Sequence, residues 1–328
     1  MKICIIGSNS FSGASLADHC LTEGHEVLGV SRSTLPNPAF LPFDQNPMKR
    51  NFQFKQIDLN TDLEQLGASL GAFQPELVVN FSAQSMVGQS WEVPEDWYAT
   101  NVVSLSKLIN ILSGVSSMRR YVHVTTPEVY GSTPDWIKEG AEFNPSTPYA
   151  VSRAAGDMHL RIMSKFKDFP VVFTRAANVY GPGQQLYRVI PKALLSAKLG
   201  KPFPLHGGGT SRRSFIHIND VSRATLLIAN QGKAGEDYHI STDQLVTIRQ
   251  VVDSAFSLYG QKLELDEASV PDRLGKDAGY FLDSSKLRNE LGWYPVISLE
   301  EGLGETKNWV DRNVDIFSSM SWEYAHKR

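Results

Sequence analysis

The chain has 328 residues, with 32 lysines and arginines against 35 aspartates and glutamates, a net charge of −3, 41% hydrophobic residues and 20% charged ones. The length predicts one large α/β domain with a smaller appended lobe. The near-balanced charge without long basic runs argues against nucleic acid as a partner, and no apolar run approaches the roughly 18 to 20 residues of a membrane span.

Strands are predicted at 3–6, 26–30, 52–57, 77–81, 121–124 and 171–174 from short apolar runs. Between the early ones, 12–23, 62–70 and 97–112 carry apolar residues at three-to-four spacing, with Gly24 placed to end the first helix. Strands alternating with helices imply a Rossmann-type doubly wound parallel sheet, whose ligands bind beyond the carboxyl ends of the strands. Gly7, Ser82 and Thr125 all fall there. Met1-Lys2 leads directly into Ile3-Cys4-Ile5-Ile6, leaving no room for the apolar part of a signal peptide, so the chain is expected in the cytoplasm. Cys4 and Cys20 form no CxxC or His/Cys cluster, so neither a disulfide framework nor a metal site is expected, and Cys4 reads as a core strand residue. Segment 33–50, with four prolines, is expected to be a loop, either a lid over a cofactor or a surface insertion. Beyond 175 the pattern is interrupted by Pro182, Pro191, Pro202, Pro204 and Gly207-Gly208-Gly209, with helices expected at 191–199, 218–229, 247–258, 284–291 and 299–310. The expected division is a dinucleotide-binding domain over 1–175 carrying the catalytic residues, and a smaller mixed α/β substrate-binding lobe over 176–328, with some segments returning to the main sheet.

The first strand runs into Gly7-Ser8-Asn9-Ser10-Phe11-Ser12-Gly13 and then a helix, the context in which backbone amides and a helix dipole face a pyrophosphate. Ser10 stands where GxxGxxG would place its middle glycine, and a bare strand-to-helix turn is the alternative. Asp58 and Leu59 are placed to touch the adenine, although Asp58 would equally cap the helix near Asp62. Phe81, Ser82, Ala83 and Gln84 are placed at the ribose and nicotinamide. The second strand ends in Ser31, Arg32 and Ser33, without the carboxylate that holds the ribose hydroxyls of NAD. Arg32 can pair bidentately with a 2′-phosphate while a serine donates, which favours NADP(H) over NAD(H); an exposed loop arginine is the alternative.

Thr125-Thr126-Pro127-Glu128-Val129-Tyr130-Gly131, followed by Tyr149-Ala150-Val151-Ser152-Arg153, offers a hydroxyl, a carboxylate and a phenol to one sugar. Residue 153 lies one helical turn after Tyr149, so its cation can act on both the tyrosine and the nicotinamide ribose. A cation there lowers the phenol's pKa and lets it take a proton from a sugar hydroxyl as hydride leaves the same carbon. Arginine keeps the charge that lysine would supply but carries it on a wider fork.

These motifs resemble the extended short-chain dehydrogenase/reductase family, and within it the nucleotide-sugar 4,6-dehydratases acting on dTDP-glucose or GDP-mannose, over nearly the whole chain. The family's strand-end motif reads Ser-Thr-Asp-Glu-Val-Tyr-Gly or Ser-Thr-Ser-Glu-hydrophobic-Tyr-Gly, matched by residues 125–131. The resemblance implies that Thr126 bonds the carbon-4 oxygen and that Glu128 is the base at carbon 5. Pro127 stands where the thymidine-linked branch has an aspartic acid; the guanosine-linked branch has serine there and lets the glutamate both remove and return the proton. It implies Asn101 at the cofactor, with Thr125, and Ser85, Asn178, Arg188 and Arg213 at the substrate, Asn178 opening the Asn178-Val179-Tyr180-Gly181-Pro182 turn that meets the diphosphate. Residues 213–221 and 289–293 resemble the family's second-lobe and carboxyl-terminal signatures, whereas the basic residues expected after Asp272-Arg273 are replaced near Ala278-Gly279. The implied reaction oxidises carbon 4 of a nucleotide-diphosphate hexose, eliminates water across carbons 5 and 6, and returns hydride to carbon 6. A homodimer through helices near 97–112 and 149–166 is implied as well. The alternatives are a nucleotide-sugar decarboxylase, a 4-epimerase, which needs no carboxylate at 128, and a catalytically silent NADP-binding regulator.

Overall fold

The computed structural model describes residues 1–133, 135–205, 207–263, 279 and 281–326, so Asp272, Arg273 and Ala278 lie outside the described residues. The first half runs β1 (Lys2–Ile6), α1 (Phe11–Thr22), β2 (Glu26–Ser31), β3 (Phe52–Gln56), α2 (Leu63–Phe73), β4 (Leu77–Asn80), α3 (Pro94–Tyr98), α4 (Leu105–Leu112), β5 (Arg120–Thr125), β6 (Trp136–Ile137), α5 (Pro148–Lys167) and β7 (Val171–Ala176). Strands β1 and β4 are continuous apolar runs buried along almost their whole length, as strands covered on both faces must be. Helix α1 starts where Ser10 Oγ accepts from Gly13 N and stops at Gly24, whose φ of +78° suits only a glycine comfortably.

The second half contributes β8 (Asn178–Tyr180), α6 (Val189–Lys198), β9 (Arg212–Arg213), β10 (Phe215–His217), α7 (Ile218–Gln231), β11 (Asp237–Ile240), β12 (Val246–Thr247), α8 (Ile248–Ser257), β13 (Phe281–Leu282), α9 (Ser285–Leu291), α10 (Leu299–Arg312) and α11 (Val314–Ser318). The main sheet has seven strands in the order β11-β7-β5-β4-β1-β2-β3, every pairing parallel. This is a Rossmann-type doubly wound sheet. Its order reverses between β1 and β4, which opens the crevice at the carboxyl ends of those strands. One core layer packs α1 and α7 on one face; a second packs α2, α4 and α5 on the other. A third apolar cluster, of α6, α8 and α10, builds the smaller lobe beside the short pairs β8/β10 and β9/β12. After β8 the chain returns twice to the main body, as α7 against α1 and as β11 on the sheet edge.

Two expectations change. Segment 33–50 is neither a lid nor a plain surface insertion: it folds into three short 3-10 turns, at Pro38–Phe40, Pro42–Gln45 and Lys49–Asn51, that bury Leu41 and Phe43 in the core beside α1. Phe40 packs against Trp309 and Phe317, and Trp309 Nε1 donates to the Ala39 carbonyl at 2.8 Å. The single helix expected over 97–112 is instead α3, a π-turn over Ala99–Ser104 and α4. The π-turn carries Asn101 inward, where it is buried.

Candidate active site

The cofactor turn is shaped by glycines that nothing larger could replace. A Cβ on Gly13 would stand 2.2 Å from the Gly7 carbonyl oxygen, and one on Gly7, at φ +83°, 2.8 Å from Ser82 N. Ser10 needs no glycine's freedom: at φ −72° it is the N-cap of α1. Asn9 ties this turn to the end of β2, its amide donating to Ser31 Oγ at 2.9 Å and its Nδ2 to the carbonyls of Ser33 and Thr34 at 2.8 and 2.9 Å.

A single cleft is lined by Gly7, Asn9 and Ser10, by Ser31, Arg32 and Ser33, by Asp58 and Leu59, and by Phe81, Ser82, Ala83 and Gln84. Those four groups come from the ends of β1, β2, β3 and β4, so the sheet itself gathers them. Asn60, Thr100 and Gln185 also line it and were not anticipated; Asn60 sits in a turn, Thr100 in the π-turn before α4 and Gln185 in irregular chain, and only the fold brings them to the cleft. Asp58 does not cap α2: its Oδ1 accepts from Asn60 N at 2.8 Å, and its own amide donates to Asp62 Oδ2 at 2.9 Å. Phe11, Ser12 and Gly13 form the first turn of α1, with the Phe11 ring in the core, so they would meet a phosphate through backbone N–H groups. Asn101 lies behind the cleft with its side chain committed, accepting from Gln84 N at 2.9 Å and donating to Gln84 O and Ser152 Oγ at 3.0 and 2.9 Å. It positions the Gln84 segment against α5. The cleft fits a nicotinamide dinucleotide: helix-start amides stand at one wall, and the buried Asn9 Oδ1, without a partner among the described residues, can accept from a ribose hydroxyl.

Past this cleft, β5 ends in Thr125, and Thr126 follows. Thr126 is the N-cap of a 3-10 turn over Pro127–Tyr130, its Oγ1 accepting from Glu128 N at 3.3 Å. Pro127 takes the first position of that turn, where a missing N–H costs nothing. Gly131 closes it at φ +67°, with the Asn144 carbonyl oxygen 2.3 Å from where a Cβ would be. Tyr149 enters from the first turn of α5, which Thr147 caps through Ala150 N at 3.1 Å. The Tyr149 phenol is buried, which pushes its pKa up, and the Glu128 carboxylate pushes it further; the Arg153 cation, a hydrogen bond with Thr126 and the Arg188 cation pull it down. Thr126, Glu128 and Tyr149 are therefore brought together. Arg188 is exposed at the N-cap of α6, within electrostatic reach of the phenol. Asn178 opens β8 opposite Phe215, Arg213 lies buried in β9, and Ser85 is exposed just past Gln84.

Arg153 is buried and donates through Nη2 to the Val124 carbonyl, with His123 Nε2 3.5 Å away. Its anchor is thus the end of β5, beneath the phenol. Under it lies a charge network not anticipated from the sequence. Asp157 Oδ2 accepts from Arg175 Nη1 at 2.7 Å and from Thr125 Oγ1 at 3.1 Å, His123 Nε2 stands 3.3 Å from Asp157 Oδ1, and Arg175 Nη2 donates to Asp237 at 2.8 Å. Thr125 belongs to this network, through which α5 is fixed to the strand ends. The signal was present as the i, i+4, i+8 series Tyr149, Arg153, Asp157 on one helix face. Among the described residues no group of three or more His, Cys, Asp or Glu side chains could hold a metal ion, and no helix is long and apolar enough to cross a membrane.

The family model described as GDP-mannose 4,6 dehydratase matches residues 4–306. The chain belongs to the nucleotide-sugar 4,6-dehydratases of the extended short-chain dehydrogenase/reductase family. Among curated relatives of this dehydratase, a probable dTDP-glucose 4,6-dehydratase of Sinorhizobium fredii is 29% identical over 95% of the chain and 93% of the relative. A trifunctional protein of Arabidopsis thaliana that includes a UDP-glucose 4,6-dehydratase is 31% identical over 84% of the chain, which spans 42% of that protein. The dTDP-glucose 4,6-dehydratase of Streptomyces venezuelae, solved with NAD and TYD bound, superposes with a TM-score of 0.86 at 30% identity, covering 96% of this chain and 98% of that one. The dehydratase is a lyase that works with a nicotinamide dinucleotide, and the reading as a silent regulator gives way.

Proposed function

We propose that this dehydratase converts a nucleoside-diphosphate hexose to its 4-keto-6-deoxy form through Thr126, Glu128, Tyr149 and Arg153. The observation that carries this reading is the meeting of Tyr149 with the Thr126 hydroxyl and the Glu128 carboxylate just past the carboxyl end of β5. A dinucleotide held by the Gly7–Ser10 turn, Ser31–Ser33, Asp58 and Phe81–Gln84 would supply the acceptor for the carbon-4 hydride and its donor to carbon 6. Tyr149 takes the proton of the carbon-4 hydroxyl, with Thr126 holding that oxygen and Arg153 favouring the phenolate. The carbon-4 ketone acidifies carbon 5, whose proton Glu128 removes. Pro127 has no proton to give, so Glu128 also delivers one to the departing carbon-6 hydroxyl, and after hydride adds at carbon 6 a proton drawn from solvent through Glu128 returns to carbon 5, completing the 4-keto-6-deoxy sugar. Asn178, Arg188 and Arg213 supply the side chains for the diphosphate. A 4-epimerase would leave Glu128 without a task, and a decarboxylase would need cations after Arg153, where Ala154, Ala155 and Gly156 stand.

Incubation with dTDP-glucose, UDP-glucose and GDP-mannose in deuterated water should yield a 6-deoxy-4-keto product labelled at carbon 5 from one of them. Glu128→Gln should still oxidise carbon 4 while water release falls about 10² to 10⁴-fold; release at the wild-type rate would refute the assignment.

NADP(H) is the form we assign to the cleft, because Arg32 stands between Ser31 and Ser33 at the end of β2 and no carboxylate occupies 30–33. Arg32→Ala should weaken NADP⁺ binding about tenfold more than NAD⁺ binding, and equal losses would reverse the preference. A homodimer is supported by Val151, Met158, Ile162 and Phe166 on α5, which are 40, 60, 55 and 68% exposed, with Val103 beside them at 50%. A monomer in sedimentation velocity at micromolar concentration would overturn it. The buried Cys4 and Cys20, not joined to each other, fit the cytoplasm, which cell fractionation would test.

A further inference from the structure

After α11 the chain leaves regular structure, with a bend at Glu323, and its exposure alternates: Ser321, Glu323 and Ala325 are exposed, whereas Trp322, Tyr324 and His326 are half-buried. Period-two alternation is what an extended segment laid flat on a surface produces. Each inward side chain has its own seat. Trp322 Nε1 donates to the Phe317 carbonyl at 2.8 Å, and Lys201 Nζ lies 4.6 Å above its ring. Tyr324 meets Tyr187 edge-on with centroids 5.4 Å apart. The His326 ring stacks on Trp97 at 5.0 Å with 11° between the planes, and its Nε2 is 3.0 Å from Asp96 Oδ2.

The first seat is in the smaller lobe and the last on α3 of the dinucleotide domain. With Trp322 on Phe317 and His326 on Trp97 and Asp96, the segment bridges the two halves. Its landing points flank the cofactor cleft: Thr100 follows α3, Gln185 precedes Tyr187, and both line the cleft. The Tyr324 phenol also feels the cations of Arg32, on the cleft wall, and Arg188, whose guanidinium lies 5.4 Å from the Tyr187 ring.

We propose that residues 322–326 form a strap across the mouth of the cofactor cleft, with Tyr324 and His326 as the contacts that retard release of the bound dinucleotide. The inference rests on the reading of that cleft as the cofactor site. It suits a reaction that ends with the cofactor in its starting form: such a cofactor need not exchange between turnovers, whereas the sugar nucleotide must.

The test follows the fluorescence of NADPH, and separately of NADH, as each is chased from the full-length protein by excess unlabelled oxidised dinucleotide. Removing two aromatic contacts with Tyr324→Ala and His326→Ala together should speed dissociation about tenfold, and Tyr324→Phe, which keeps the ring contact, should release at close to the wild-type rate. After desalting, the double variant should lose dehydratase activity that added dinucleotide restores. Should the double variant not fold, Tyr324→Ala alone carries the test. Wild-type binding with dissociation from the variants unchanged within twofold would overturn the strap; a wild-type protein that binds neither dinucleotide would overturn the cleft's reading and the strap with it.

Discussion

Asp157→Asn should be among the most damaging single changes outside the reacting groups. The carboxylate is fully buried between Arg175, Thr125 and His123, and the asparagine would turn an amide donor or a weaker neutral acceptor toward a buried guanidinium. Burial alone would push the Asp157 pKa up, but the Arg175 cation, His123 and Arg153 hold it well below the usual carboxylate range. Breaking one partner of a buried pair costs about 3 to 5 kcal/mol. At roughly 2 to 4 °C per kcal/mol for large domains, the melting midpoint should fall by roughly 6 to 20 °C at pH 7. The pH dependence follows from the direction of the shift. A carboxylate with a depressed folded-state pKa contributes stability above its unfolded value, about 3.9, and loses it as pH falls toward the folded value. The gap between wild type and variant should therefore be full at pH 7 and narrow below about pH 4. Urea unfolding across that range measures it. A loss below about 1 kcal/mol at pH 7, or a gap that widens with acid, would refute the account.

Gly131→Ala should destabilise by about 1 to 3 kcal/mol and displace Glu128, because its φ is +67° and the Asn144 carbonyl oxygen occupies the space of a Cβ; wild-type turnover in that variant would contradict it. The Glu128 charge helps to raise the Tyr149 pKa, so Glu128→Gln should lower the alkaline titration of that phenol, read at 295 nm as the difference from a Tyr149→Phe background. An equal or higher titration would be inconsistent with their contact. Burial pushes His217 down to about 4, so the folded state resists its protonation and stability should decline as pH falls from 6.5 to about 4. His217→Gln should flatten that part of the curve, and an unchanged slope in calorimetry would exclude His217 as its source.

Much of this was legible before the structure, and the misses have physical reasons. Strands β1, β4 and β7 announce themselves because both faces are covered, so each carries an unbroken apolar run, Ile3–Ile6, Leu77–Val79 and Val171–Phe173. Strand β11, Asp237-Tyr238-His239-Ile240, does not: Asp237 and His239 are polar, and they are buried only because Arg175 and Arg161 meet Asp237 and Tyr130 meets His239. Pro191 suggested a helix start, yet α6 begins two residues earlier, at Val189; a proline in the first turn lacks only an N–H that has no intrahelical partner there. The resemblance places Asn101 at the cofactor; the π-turn that aims it at Gln84 and Ser152 leaves no mark in the sequence. For Arg153, placed by its spacing near the phenol and the ribose, the fold adds the Val124 carbonyl as an anchor that the sequence does not indicate. Periodicity reports which face is buried; it does not report which polar partner waits there.

The bond from Trp309 to the Ala39 carbonyl joins residues 270 positions apart, and that separation has a consequence during synthesis. At about 5 to 20 residues per second, a ribosome needs roughly 15 to 50 s to add that much chain. Throughout that interval the turns at 38–51 lack Trp309 and Phe317, the aromatic rings that cover Phe40. A nascent chain arrested before residue 309 should be cut there by a protease that spares the finished protein, whatever the state of β1 and β2 on either side.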